Sequence, residues 1–271
     1  MDIMDLNQIS KDIRIDTMRC MASIGVGHVG GCLSIVDILT SLYYKHMNIN
    51  PQNPKMAGRD RLIVSKGHAG PAVYATLANK GYFDKSELLT LNQSGTNLPS
   101  HCDMNKTIGI DMTTGSLGQG FSCAVGIALG SKLAKDNAYI YTIIGDGESQ
   151  EGQIWEAAML ASQKKLNNLI AFTDYNKMQI DGMVDDVNSL EPIDKRWESF
   201  GWTVVVIDGH NFDEIDMAIS VAKKSSKPTM IIANTIKGKG VSFVVEKGYG
   251  NHNMPITAEQ LEQAIAEIGR A

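Results

Sequence analysis

The sequence predicts an α/β fold, a doubly wound parallel sheet with helices on both faces, on three observations. Short strand-like runs rich in Ile and Val recur, at Arg61–Ser65, Tyr139–Ile144, Asn168–Thr173, Trp202–Ile207 and Thr229–Asn234. They are nearly continuous in hydrophobicity, as expected of strands buried on both faces. Helical patterns lie between them, and alternation of this kind implies a parallel sheet.

Among the helices, Leu117, Phe121, Ala124, Val125, Ala128, Leu129 and Leu133 form a 3.6-period stripe behind glycines 115, 118 and 120. A second helix is predicted over Glu151–Lys165, with Ile154, Trp155, Ala158 and Met159 as its apolar face. Ser34 with Asp37, Asn211 with Glu214, and Thr257 with Gln260 have the spacing of capping pairs at helix starts. With 271 residues and no repeat, linker or low-complexity tract, the chain 1–271 reads as a single domain.

Composition narrows the function classes. Lys and Arg total 25 against 30 Asp and Glu, for a net charge of −5 with no basic run, which argues against nucleic acid as a partner. An anionic small ligand is expected to be held by backbone amides, a metal or a partner. No apolar run is long enough to span a bilayer, and the amino terminus lacks the pattern of a signal peptide, so a cytoplasmic protein is expected. Cys20, Cys32, Cys102 and Cys123 lack metal-ligand spacing and read as reduced, mostly buried thiols.

In doubly wound sheets ligands bind beyond the carboxyl ends of the strands. Gly145-Asp146-Gly147-Glu148 follows one buried strand, and Asp174-Tyr175-Asn176 follows the next. Glycine allows close approach of backbone to ligand. Asp146 and Asn176, thirty positions apart, each offer an oxygen at a strand end. Magnesium suits such a pair, since it takes few protein oxygens and completes its octahedron with phosphate and water. A turn or helix-cap role for both residues is the competing structural reading.

Glycine-aspartate-glycine with asparagine about thirty residues on resembles the thiamine diphosphate fingerprint. The resemblance narrows to transketolases over nearly the whole chain. It is carried by Gly27-His28-Val29-Gly30-Gly31, Ser65-Lys66-Gly67-His68, Ser100-His101-Cys102-Asp103-Met104 and Thr114-Gly115-Ser116-Leu117-Gly118-Gln119-Gly120. Further along stand Gln150-Glu151-Gly152, Asp174-Tyr175-Asn176-Lys177 with Ile180-Asp181-Gly182, Asp208-Gly209-His210-Asn211, and Thr235-Ile236-Lys237-Gly238-Lys239-Gly240.

The resemblance implies the diphosphate-binding (PP-type) fold of thiamine diphosphate enzymes, with thiamine diphosphate and Mg2+ as cofactors and Ca2+ or Mn2+ as substitutes for the metal. It places the metal on Asp146, Asn176 and the Met178 carbonyl. It assigns catalysis to His28, His101 and His252, with His252 also touching the cofactor. His68, the Gly115-Ser116-Leu117 loop, Gly147, Glu148, Glu151 and Asn176 are expected at the cofactor, with Glu151 also in an acidic network linking paired sites. Imidazoles suit proton transfer at sugar hydroxyls near neutral pH. His46 and His210 are read as structural.

Two departures stand out. The family's prolines beside His28 and His101 are replaced by Val29 and Cys102, which leaves an ordinary pentulose phosphate or a modified ketose as substrate. The chain matches only the first of three transketolase domains, and it reads as complete, ending in a capped helix Ala258–Gly269. The resemblance therefore implies a split enzyme. A separate partner chain, the C-terminal transketolase subunit, would carry the pyrimidine-binding and carboxy-terminal domains, in an assembly with two copies of each chain. Deoxyxylulose-phosphate synthase and the alpha chain of a 2-oxoacid dehydrogenase are the nearest alternatives, and a non-catalytic subunit is a further one. A dinucleotide-binding oxidoreductase is disfavoured by the glycine spacing of Gly115–Gly120.

Overall fold

A computed structural model describes residues 3–270. From the amino end, α1 (Ile3–Ala22) leads through β1 (Val26–Gly27) to α2 (Val29–Leu33) and α3 (Val36–Ser41), then to β2 (Arg61–Val64) and α4 (Gly70–Lys80). Beyond a loop-rich stretch come α5 (Gln119–Ala134), β3 (Ile140–Gly145), α6 (Gly152–Gln163) and β4 (Leu169–Tyr175). The remainder holds α7 (Val184–Asn188), α8 (Ile193–Ser199), β5 (Thr203–Asp208), α9 (Phe212–Lys224) and β6 (Thr229–Asn234). It closes with α10 (Ser242–Glu246), β7 (Met254–Pro255) and α11 (Ala258–Arg270).

The five predicted strands form one parallel sheet in the order β2-β3-β4-β6-β5. Their continuous hydrophobicity has a simple cause, because successive side chains enter opposite cores. Tyr141, Ile143, Ile170, Phe172 and Ile231 pack with α1, α3, α4 and α9, while Ile140, Ile144, Leu169, Ala171 and Ile232 pack with α5, α6 and α8. Helices thus cover both faces, as the sequence predicts. Among the described residues no helix is long and apolar enough to cross a membrane. All four cysteines are free, with Cys20, Cys32 and Cys102 buried.

Several local expectations change. β4 runs two residues past Thr173, because Asp174 and Tyr175 pair with Ala233 and Asn234 of β6. α5 starts only at Gln119 and buries Phe121, Ala124, Val125, Ala128 and Ser131. Leu133 is 75% exposed. Five residues beyond Ala128 the helix has turned roughly 140° off the buried line. Similarly, α6 buries Ile154, Ala157, Ala158 and Ala161 and leaves Met159 outside.

Two of the three capping pairs form. Asn211 accepts from the Asp213 and Glu214 amides, and Thr257 with Gln260 makes a reciprocal box. Ser34 and Asp37 do not. The α3 cap is Ile35, while the Ser34 hydroxyl turns to Asp174 and the Asp37 carboxylate to Arg14. Buried charge needs its partners met first, and those lie far away in sequence.

Candidate active site

The segments following β2, β3, β4 and β6 meet at the carboxyl edge of the sheet. There they line a cavity of about 380 Å3. It receives His28, His68, His101 and His252, the Gly115 and Leu117 loop, Asp146, Gly147, Glu148, Glu151, Asn176 and Met178. Of the residues expected at the metal, the cofactor or the reacting sugar, Ser116 alone lies off this wall, exposed to solvent.

Chain segments far apart in sequence bring the four imidazoles together. β1 pairs antiparallel with β7, Gly27 opposite Met254, and this sets His28 beside His252 with ring centroids 5.3 Å apart. His68 lies 5.2 Å from His28 and 5.0 Å from His252, and His101 lies 5.9 Å from His28. Burial lowers the His28 pKa, helped by His101 and Lys237. Burial also holds His68 well below the ordinary value, with Lys66 adding to the effect. For His252, burial and then the Lys237 charge bring it down to about 4. These three rings are therefore neutral at pH 7, each with one N–H donor and one acceptor nitrogen.

Oxygen groups able to hold a metal line the same cavity. Asp146 is buried, and its carboxylate accepts the Gly147 and Lys177 amides. Burial, with the Asp174 charge beside it, pushes its carboxyl up to about 7. Asn176 donates its amide to Asp174 and accepts the Met178 N–H on Oδ1, which keeps a second lone pair. The Met178 carbonyl already faces a cation, the Lys237 ammonium at 3.2 Å. Among the described residues no group of three or more His, Cys, Asp or Glu could hold a metal ion. One carboxylate with two neutral oxygens instead suits a hard divalent ion that takes its remaining ligands from phosphate and water.

Glu148 plays a bracing part. Its Oε1 accepts the Ser65 hydroxyl and the Gly118 amide, and its Oε2 accepts the Gly145 amide. It thereby ties three loops of the cavity together, with few lone pairs left for a ligand. The loops also touch directly. A Cβ on Gly67 would stand 2.6 Å from the Thr114 carbonyl carbon and oxygen, so only glycine lets these backbones meet. Glu151 is exposed at the rim, just ahead of α6.

Sequence reasoning overlooked two cations and one anion. Lys66 and Lys237 both line the cavity and are almost fully buried, so an anion entering it meets side-chain charge as well as amides or metal. Burial lowers the Lys237 amine to about 8. Asp174, wholly buried, receives Lys66 Nζ at 2.6 Å, Ser34 Oγ at 2.7 Å, Asn176 Nδ2 at 3.0 Å and the Thr235 hydroxyl. Although burial alone would raise its pKa, the Lys66 charge and these hydrogen bonds hold it below the usual range. A lysine inside a glycine-flanked turn directly after a strand was the available signal for Lys66.

Comparison with known proteins is consistent with this arrangement. Residues 6–271 match the family described as transketolase, thiamine diphosphate binding domain. The chain is 57% identical over 265 residues to the 6-deoxy-6-sulfo-D-fructose transketolase subunit SqwG of Clostridium sp. (strain MSTE9), covering 97% of this chain and 96% of that one. It is 41% identical over 243 residues to an apulose-4-phosphate transketolase subunit of Phocaeicola vulgatus, covering 89% of this chain and 86% of that protein. The crystal structure of transketolase from Campylobacter jejuni superposes with a TM-score of 0.92 at 34% identity. That alignment covers 99% of this chain but 43% of the solved one, so the chain spans about two-fifths of the solved transketolase.

Proposed function

Because the chain belongs to the thiamine diphosphate-binding transketolase family, we propose that it is the amino-terminal subunit of a split transketolase. In this reading it moves a two-carbon ketol unit from a ketose to an aldose acceptor, and it works only with a partner subunit that carries the pyrimidine-binding domain. Two copies of each chain would make up the assembly. The observation that carries the split reading is the alignment along 96% of a relative that is itself a transketolase subunit.

When bound, thiamine diphosphate supplies the electron sink for breaking and making the carbon–carbon bond. The protein's part is to hold and orient. Asp146, Asn176 Oδ1 and the Met178 carbonyl would hold magnesium, or calcium or manganese in its place, and Lys237 would offset diphosphate charge. His68, the Gly115–Leu117 loop and Gly147 would lie along the cofactor. His28, His101 and His252 would hold and move protons at the sugar hydroxyls, the neutral state of His28 and His252 leaving each an acceptor nitrogen. Glu151, exposed at the rim, is placed to meet a second chain.

The relatives favour a modified ketose over an ordinary pentulose phosphate, with a 6-deoxy-6-sulfo-fructose-type sugar as the donor. Val29 and Cys102, which replace the family's prolines, are both buried, so they act on the turns carrying His28 and His101 rather than on the cavity surface.

The test uses this chain by itself, the partner by itself and both together, each with thiamine diphosphate and magnesium. Two-carbon transfer is assayed from a 6-deoxy-6-sulfo ketose and from a pentulose phosphate, beside oxidative decarboxylation of a 2-oxoacid. Ketol transfer is expected only from the pair, and faster from the sulfonated donor. Full activity from this chain without the partner would sink the split reading, and turnover of the 2-oxoacid would reassign the chemistry.

A further inference from the structure

His210 belongs to the Asp208-Gly209-His210-Asn211 turn after β5 and lies outside the cavity wall. Its Nδ1 is 2.8 Å from Asp37 Oδ2, and its Nε2 accepts the Ile236 N–H at 2.9 Å. A ring nitrogen that accepts an amide carries no proton, so the proton sits on Nδ1 and is donated to Asp37. Asp37 is gripped in turn by both terminal nitrogens of Arg14 on α1. The side chains of this relay are 6–8% exposed.

The relay ends one residue before Lys237. In the turn carrying that lysine Ile236 is 44% exposed, whereas Lys237 beside it is buried. The turn is also held by hydrogen bonds: the Thr235 hydroxyl to Asp174, the Thr235 amide to the Tyr175 carbonyl, the Ile236 amide to His210, the Gly238 amide to the Gly30 carbonyl, and Asn251 Nδ2 to the Lys237 carbonyl. Of these, the bond to His210 acts on Ile236, the exposed residue directly before Lys237. A buried ion pair that merely filled space would be served as well by apolar groups. Here the pair orients a ring whose second nitrogen takes a loop amide.

We propose that His210 is a positioning residue. Oriented by Asp37 and Arg14, it fixes the Ile236 amide and so the place from which Lys237 meets the charge of a bound diphosphate. This rests on the cofactor reading above for what Lys237 faces.

Two substitutions separate positioning from simple filling. His210→Asn keeps a donor toward Asp37 but stops short of Ile236, whereas His210→Gln can put its carbonyl oxygen where Nε2 lies. Hydrogen–deuterium exchange on the full chain reads the turn without any cofactor. Exchange at Ile236–Gly238 is expected to quicken by about ten-fold in His210→Asn, the effect of one hydrogen bond, and to stay near wild type in His210→Gln. With thiamine diphosphate and magnesium added, affinity read by tryptophan fluorescence should fall by about ten-fold in His210→Asn alone. Unchanged exchange in His210→Asn, or equal acceleration in both variants, overturns the positioning role; faster exchange with unaltered affinity overturns its bearing on the ligand. A wild-type chain that binds no thiamine diphosphate, with or without its partner, overturns the cofactor reading instead, and the exchange pattern still judges the positioning.

Discussion

Replacing Asp174 with asparagine removes a charge from beneath the site while keeping its shape. Lys66 Nζ lies 2.6 Å from the carboxylate, with side-chain exposures of 3% and 0%. In the variant the ammonium stays out of water without its counter-charge, and breaking a buried pair in this way costs about 3–5 kcal/mol. At about 2–4 °C per kcal/mol for a chain of this size, the unfolding midpoint should drop by roughly 6–20 °C. Asn176 also loses the charged acceptor that orients its amide. Lys66→Met alone strands the opposite charge and should cost a similar amount. The double variant leaves no charge unpaired, so its cost should fall well below the sum of the two. Thermal and urea unfolding followed by circular dichroism measure all three. A single variant melting within a couple of degrees of wild type, or strictly additive costs, would refute the paired-charge account.

Other consequences follow from the same geometry. Asp146→Ala should abolish magnesium-dependent retention of thiamine diphosphate during gel filtration, and retention with unaltered metal dependence would remove the metal assignment. Gly67→Ala forces a Cβ to within 2.6 Å of Thr114 backbone atoms and should cost about 1–3 kcal/mol in urea unfolding. Gly152→Ala, with nothing within 4 Å, should be neutral or slightly stabilising, and equal costs at both sites would contradict the close approach. Stability should also depend on pH. Burial lowers His46 and His252 to about 4, and lowers His28 and His68 as well. Below about 6.5 the unfolded chain binds protons that the folded imidazoles decline, so their contribution falls as pH drops toward 4, while Asp146, raised to about 7, and Glu148, also raised, contribute in the opposite sense. Asp37, whose burial is outweighed by Arg14 so that it sits at about 2, adds its own loss only below about pH 4. The imidazole share is therefore read against His46→Asn, whose midpoint should drop less between pH 7 and 4.5 than that of wild type; identical pH dependence would contradict the lowered His46.

Much of this was legible along the chain. Buried parallel strands are uniformly apolar, so all five were found to within two residues at either end. Asp146 and Asn176 follow strand ends, and His28, His68 and His252 lie close to glycines, where the fold directs ligands, while His101 stands in a polar loop. Helix faces were less legible. Met159 and Leu133 are as apolar as their buried neighbours, and only the packing against the sheet decides which side turns inward. Ser34 with Asp37 has the spacing of a cap, yet Asp174 and Arg14 claim those side chains from 140 and 23 residues away.

Local pattern by itself determined the sheet, the strand ends that carry the site, and the residue types able to hold a metal or move a proton. Each of these depends on neighbours within a few positions, through periodicity, backbone freedom and donor chemistry. Tertiary structure alone decided which charges meet. Lys66 finds Asp174 across 108 residues and His210 finds Asp37 across 173, while Lys237 reaches the Met178 carbonyl across 59. The physical reason is the cost of buried charge. A lysine or carboxylate withdrawn from water must take whatever partner the fold brings within reach, and sequence spacing holds no record of that distance.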